Sequence, residues 1–473
     1  LGVVDFGIYN VVGGVVLMFS FLNASMSSAT QRFLSFELGK KDYDQFKKVF
    51  CMSVNIHLII AFTILVLAET LGLWFLNTKL VIPIERIEAA NWVYQFSILA
   101  FMLTIMNVPY NATIIAHERM NVYAYISIVE VVLKLIIVFT LVWLGFDKLK
   151  LYAVLVFMVA LMIWSIYKIY SKRNFKETHY KFYWDKPLYK TLMSYAGWNL
   201  FGNIASVTMG NGINILLNLF FGPTVNAARA IAYQVNSAVT GFVTNFQMAL
   251  NPQIIKSFAV NHLQYMHQLI FRGAKYSYFL LFAISLPVIM ETEIILKLWL
   301  KIVPQYTVIF TQLVIVNVLI DCISGTLVTS AQASGKIKLY QATVGGLLLL
   351  NLPISYLLIK FGAPPQITVQ ISIIISVITL FVRLYILQYL VKLSIKSFIA
   401  NVIYPIISIT FFATLVSLLF KVFIDIGKIQ FLLNIAVSFI FSLISIYFIG
   451  LNIQEKAYIR LKIKDIHVKL LSK

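Results

Sequence analysis

Long runs of apolar residues, each free of Asp, Glu, Lys and Arg, recur along this chain, and few folds accommodate them. Residues 49–68, 397–420 and 431–449 are clear examples. Each is long enough to cross a hydrocarbon core of roughly 30 Å as a helix. A barrel strand would need only about 9–11 residues and two-residue alternation of apolar and polar positions, and these runs show no such alternation. Backbone groups in lipid must bond within their own segment or around a closed barrel. The chain therefore reads as an all-α integral membrane protein.

Composition removes the soluble alternative. Hydrophobic residues make up 60% of the 473 residues, charged residues only 12%, and the mean hydropathy is +0.87. A soluble fold with so few charges would expose large apolar patches. About 13 spans are expected, at 6–34, 46–76, 89–116, 120–145, 149–171, 189–221, 224–254, 266–298, 305–333, 337–360, 366–391, 397–421 and 429–451. The connections are short, the longest lying around 172–190, so no soluble domain is expected.

Charge tests the count. One alternate set of loops carries Lys40, Lys41, Lys47, Lys48, Arg119, Lys172, Arg173, Lys176, Lys181, Lys186, Lys190, Lys256, Lys336, Lys338, Lys392 and Lys396. The same side ends in a tail bearing Lys456, Arg460, Lys462, Lys464, Lys469 and Lys473. The other side has scattered cations only, among them Lys79, Arg86, Lys148, Lys301 and Lys428. The positive-inside rule makes the basic side cytoplasmic, so the chain is expected to start outside and end inside. The net charge of +20 is then a topology signal with some attraction to anionic membrane lipids, and no nucleic-acid partner is implied.

An internal repeat organises the chain. Gln31 to Phe36 (QRFLSF) resembles Gln253 to Phe258 (QIIKSF), and Glu69-Thr70 before Leu73-Trp74 resembles Glu291-Thr292 before Leu298-Trp299. Ala116 to Tyr123 (AHERMNVY) resembles Ala333 to Tyr340 (ASGKIKLY), and Leu1-Gly2 is echoed by Phe221-Gly222. The offsets all lie near 220 residues. The copies are an even number of spans apart and so share one orientation, giving two parallel six-helix lobes with a cavity between them. The expected divisions are an N-terminal lobe over 1–173, a cytoplasmic loop over 174–188, a C-terminal lobe over 189–392, a final helix pair over 393–451 and a basic tail over 452–473. The repeat also predicts one helix before Leu1, hence 14 in the intact protein.

Polar residues inside apolar helices mark the candidate site, because they cost free energy in lipid and turn toward protein or water. Arg229, Tyr233, Ser237, Thr240, Thr244, Gln247 and Asn251 recur at three- and four-residue steps and share one helix face. Ser20, Asn23, Ser27 and Gln31 form a similar stripe ending near Arg32. Asn199, Asn203, Ser206, Gly210 and Asn214 form a third. Shorter ones are Thr104, Asn107 and Asn111, and Asn317, Asp321 and Ser324. Such stripes serve either as helix–helix contacts or as the wall of a hydrated cavity. The length of the 224–254 stripe and the presence of its repeat partner favour a cavity there.

Arg32 and Arg229 are candidate cations for an anionic substrate, since a guanidinium offers paired donors to phosphate. The competing reading is snorkelling to the nearer interface, which suits Arg272 and Lys275 better. Glu130 and Lys134, four apart, are expected to neutralise each other. Asp321 is the one candidate ion-coupling residue, weighed against a plain hydrogen-bonded contact. Cys51 and Cys322 lie in apolar runs and read as small core residues. No Cys/His cluster has metal-ligand spacing, and neither cofactor nor catalytic residue is expected.

The segments LGVVDFGIYNVVGG (1–14), SSATQRFLSFELGK (27–40), YAGWNLFGNIAS (195–206) and FFGPTVNAARAIAYQV (220–235) resemble the polysaccharide-biosynthesis flippases of the multidrug/oligosaccharidyl-lipid/polysaccharide exporter superfamily. The resemblance implies two six-helix lobes plus a final pair. It further implies movement of undecaprenyl-diphosphate-linked oligosaccharide units, for O-antigen or capsule, across a bacterial inner membrane by alternating access. Polysaccharide assembly proteins would be partners. Arg32 and Arg229 best fit the cationic cavity positions it implies. A cation-coupled drug exporter of the same superfamily would share the fold but lean on intramembrane acids, which are sparse here. A peptidoglycan-precursor flippase would be expected to carry more cavity arginines. A membrane-embedded glycosyltransferase or polymerase would need a catalytic acid or a long outer loop, and neither a DxD motif nor such a loop is present.

Overall fold

The computed structural model describes residues 3–17, 20–80, 82–143, 145–300, 302–423, 429–457 and 460–461. Among these the regular structure is helical throughout, without a strand. The helices are α1 (Val3–Leu17), α2 (Ser20–Gly39), α3 (Tyr43–Thr78), α4 (Ile84–Ala116), α5 (Met120–Trp143), α6 (Lys148–Asn174), α7 (Lys186–Phe221) and α8 (Pro223–Ala259). They continue as α9 (Leu263–Met290), α10 (Thr292–Leu300), α11 (Thr307–Ala333), α12 (Ile337–Lys360), α13 (Ile367–Val391), α14 (Ile395–Phe423) and α15 (Gln430–Gly450).

Over the described residues each expected span falls largely on helix. Among the described residues 11 helices are long and apolar enough to cross a membrane, and the chain is an all-α membrane protein. The two expected spans outside that set, 6–34 and 224–254, fall on α1, α2 and α8: α1 has 15 residues, and polar side chains dilute the hydropathy of α2 and α8. Leu1-Gly2, the side chain of Ser20, Lys301, Lys428 and the tail cations Lys462, Lys464, Lys469 and Lys473 lie outside the described residues.

The repeat is visible in the helix ends. After α2, the Asp42 N–H donates to the Glu37 carbonyl and the Lys41 N–H to that of Leu38, with Lys41 at φ 60°. After α8, the His262 and Asn261 N–H groups bond the Ser257 and Phe258 carbonyls in the same pattern, with Asn261 at φ 56°. This left-handed cap satisfies the last carbonyls of a helix. The two caps are separated by 261 − 41 = 220 residues. The ends of α4 and α11 repeat the relation with Glu118 (φ 60°) and Gly335 (φ 73°), 335 − 118 = 217 residues apart.

The chain divides into two compact units. Unit 1 holds Leu1–Ile204 and Ile255–His262, and unit 2 holds Ala205–Ile254 and Leu263–Lys473. Unit 1 packs around Ile64, Ala90, Val93, Tyr94, Ile98 and Leu149. Helix α3 contains a π-helical turn at Ala68–Gly72, and the Tyr94 hydroxyl donates to the Ala68 carbonyl at 2.7 Å. A Cβ on Gly72 would stand 2.0 Å from that hydroxyl oxygen, so the turn requires glycine. Arg86 joins Asp5 on α1 to Asp147, which caps α6. Burial pushes the Asp147 carboxyl up, but the Lys150 and Leu149 N–H groups and the Arg86 guanidinium outweigh it and hold it below the usual aspartate range.

Unit 2 packs around Ile213, Leu217, Ala228, Ala232, Phe310 and Val314. Its final pair, α14 and α15, is tied to α9 at both ends. At one end buried Glu291 accepts from Asn434 (2.9 Å) and pairs with Lys421 (3.0 Å). At the other, buried Lys275 pairs with buried Glu455 at 2.7 Å. Tyr278 and Thr410 share a hydrogen bond of 2.6 Å between those ends.

Candidate functional site

In unit 1 the α2 and α7 stripes meet. Asn203 donates to the Ser25 hydroxyl at 2.9 Å and Asn199 to Ser28 at 3.5 Å. Asn199 is buried, while Ser27, Gln31 and Asn203 are half-buried. Arg32 is buried too, and its guanidinium carbon sits 4.5 Å from the ring centroids of both Phe33 and Phe36 and 6.0 Å from Tyr195. Aromatic faces attract a guanidinium electrostatically.

In unit 2 the α8 stripe changes character along its length. At its start Arg229 is buried, hydrogen-bonded to Asn214, with its guanidinium carbon 4.5 Å from the Tyr233 ring. Its Nε has no hydrogen-bond partner among the described residues. The middle, with Tyr233, Ser237 and Thr244, is exposed, and Thr240 is half-buried. Ser237 donates to the Tyr233 carbonyl (2.9 Å), Thr240 to Asn236 (2.9 Å) and Thr244 to Thr240 (3.1 Å). At the far end the polar groups are spent on neighbouring helices. Gln247 donates to the Ser277 hydroxyl (2.9 Å) and the Cys322 carbonyl (2.8 Å), and Asn251 accepts from Thr329 (2.7 Å). Gly325 makes room for Gln247, since a Cβ there would fall 2.0 Å from its Oε1.

Asp321 is exposed and accepts from Asn317 at 3.0 Å. Ser376 on α13 donates to the Asn317 side-chain oxygen at 3.1 Å. On the same helix lies a cation absent from the sequence reading. Arg383 is buried, its Nε donates to the Tyr340 hydroxyl at 3.0 Å, and its Nη1 has no partner among the described residues. The spacing Thr368, Ser372, Ser376, Thr379, Arg383 is a three- and four-residue stripe that would have revealed it. Glu130 and Lys134 pair at 2.6 Å on α5. They stand in the wall of a cavity of about 380 Å³ with Thr104, Asn107, Tyr9 and Trp164. Cys51 and Cys322 are buried and free, and no cluster of metal-ligating side chains occurs among the described residues.

The family model described as polysaccharide biosynthesis protein matches residues 1–258, more than half of the chain. No curated protein matches by sequence. Several solved structures share the architecture. A MATE protein in complex with MaD3S superposes with a TM-score of 0.71 at 13% identity, covering 83% of this chain and 90% of its own. An outward-facing multidrug resistance MATE transporter of the MOP superfamily gives 0.70 at 13% identity, covering 83% and 89%. A MOP superfamily transporter from Pyrococcus furiosus, described as having reversed binding-pocket polarity, gives 0.66 at 12% identity, covering 82% and 88%. At these identities the likeness establishes the fold. The sequence match establishes the family: the chain belongs to the polysaccharide biosynthesis protein family, in the membrane-transporter fold of the MOP superfamily.

Proposed function

We propose that the protein moves lipid-linked oligosaccharide units, carried on undecaprenyl diphosphate, across a bacterial inner membrane by alternating access, with its basic loops and C-terminus in the cytoplasm. The observation that carries this reading is the α8 stripe. A buried arginine with an unpartnered Nε stands at its start, followed by an exposed run of hydroxyls. A diphosphate needs the first and a sugar chain the second. Family membership supports the same substrate class. Arg32, with Ser27, Gln31, Asn199 and Asn203, is proposed for the substrate path because a buried cation there ends a polar stripe.

The test is surface polysaccharide in cells lacking their own repeat-unit flippase. The protein should restore it, and Arg229→Ala should abolish restoration at unchanged membrane level. A well-inserted protein that never restores polysaccharide would sink the proposal. A cation-coupled exporter is the second reading, favoured by the exposed carboxylate of Asp321 inside a span. Gained resistance to cationic drugs, lost in Asp321→Asn, would support it instead.

A further inference from the structure

The connection between α6 and α7 is held in a defined shape. Its first turn, Lys176–Thr178, packs Phe175 face to face on His117 at 3.9 Å, and the His117 ring pairs with Glu177 at 2.9 Å. Further along, the Tyr180 hydroxyl donates to the Asn55 side-chain oxygen at 2.7 Å, and Asn55 donates to the Tyr183 carbonyl at 2.7 Å. Two hydrogen bonds from one buried asparagine of α3 thus fix the middle of the segment. Asp185 then accepts from the Leu188 N–H at 2.7 Å and opens α7.

This anchoring sorts the side chains. Lys172, Arg173, Lys176, Lys181, Lys186 and Lys190 are all exposed. None of them forms an ion pair among the described residues, because both acids of the segment are engaged elsewhere, Glu177 by His117 and Asp185 by the α7 cap. Between the cations, Phe182 is 72% exposed and Trp184 is 47% exposed, while their neighbour Tyr183 turns its carbonyl inward to Asn55. Large aromatics beside the ends of membrane spans sit at headgroup depth. Unpaired cations within a Debye length of an anionic leaflet are drawn to it.

We propose that residues 172–190 form a built docking surface for the anionic phospholipid headgroups of the leaflet they face, with Phe182 and Trp184 as the inserted anchors. The six uncompensated cations complement a phosphate-rich plane, and an integral protein has that plane beside it at all times. Each cation removed should lower headgroup affinity roughly five-fold.

The experiment uses the full chain reconstituted in vesicles containing phosphatidylglycerol and phosphatidylcholine, with bromine on the acyl chains of one lipid or the other. Subtracting Trp184→Phe isolates the emission of Trp184. Bromine on phosphatidylglycerol should quench Trp184 beyond that lipid's mole fraction. Combined Lys176→Gln, Lys181→Gln and Lys186→Gln should erase the preference, and the matching Lys→Arg protein should keep it. Asn55→Ala, with its thermal midpoint measured alongside, should weaken the preference although it removes no charge. Equal quenching by both brominated lipids in the unaltered protein would overturn the proposal. So would the absence of quenching, as expected if the occupant were an acidic protein.

Discussion

Nζ of Lys275 lies 2.7 Å from Oε2 of Glu455, and both side chains are buried. The Asn452 N–H and the Tyr276 hydroxyl also bond the Glu455 carboxylate, and the Glu455 N–H returns a bond to Asn452. The acid is therefore both an ion-pair partner and one half of a reciprocal cap. Removing one partner of such a pair leaves an uncompensated buried charge, at a cost of about 3–5 kcal/mol. Lys275→Met alone and Glu455→Gln alone should each lower the thermal midpoint in detergent. Lys275→Met combined with Glu455→Met should recover most of the loss. Additive losses in the double variant would show the pair is not coupled.

The same carboxyl predicts a pH response. Burial alone would raise its pKa, but Lys275, the Asn452 N–H and Tyr276 outweigh burial and hold it below the ordinary value of 4.5. A depressed folded pKa means the stabilisation is fully present above the unfolded value and is lost as pH falls through the folded one. The hydrogen-exchange protection of residues 452–457, taken relative to the intrinsic rate at each pH, should be high at neutral pH and should fall as pH drops through the depressed pKa. Glu455→Gln should show low protection at neutral and acid pH alike, and a pH-dependent protection persisting in that variant would assign the effect to another group.

Three glycines should rank by what their missing Cβ would strike. At Gly39 it would meet the Lys256 backbone, with Cα at 2.7 Å and O at 3.0 Å, and backbone has little room to yield. At Gly325 it would meet the amide of Gln247, which can swing aside only by dropping its bonds to Ser277 and the Cys322 carbonyl. At Gly210 nothing lies within 4 Å. Gly39→Ala should be the most destabilising and Gly325→Ala intermediate, about 1–3 kcal/mol for the orphaned amide partners. Gly210→Ala should be neutral or gain up to about 1 kcal/mol from helix propensity. Thermal midpoints of the three purified variants check the order.

Most of the helical framework was legible because lipid imposes a simple requirement: a span must be apolar and long. The two most polar spans were legible only as patterns, through the spacing of Ser27, Gln31 and Arg32 and of Arg229 to Asn251. What those patterns could not show is which polar groups are consumed. Gln247 and Asn251 look like Ser237 and Thr244 in sequence, yet the first two reach neighbouring helices and the others do not. That difference depends on what packs opposite, such as Gly325 and Thr329, far along the chain. Arg383 carries its own signal in the Thr368 to Arg383 stripe, but its bond to Tyr340, 43 positions earlier, depends on how two helices pack. The anchoring of residues 175–185 was illegible for another reason, since Asn55 lies within an apolar run 125 positions before Tyr180 and nothing local links the two.

Arg383 itself carries a prediction. Its Nε is satisfied by Tyr340 while its Nη1 is not. Tyr340→Phe removes the acceptor from a buried guanidinium and should destabilise unit 2 by about 1–3 kcal/mol. The loss should be read as a lowered thermal midpoint at an unchanged expression level. An unaltered midpoint would mean that the guanidinium is held by other contacts.

The middle of α8 has a chemical polarity of its own. The Ser237, Thr240 and Thr244 hydroxyls each donate to a carbonyl one turn back, so outward these three offer lone pairs. Those three positions form a one-way surface: they accept a hydrogen bond from a guest's hydroxyl or amide but donate none to a phosphate or a carboxylate. Any guest lying along it would be oriented by that asymmetry, its donors against the hydroxyl run and its negative end toward Arg229.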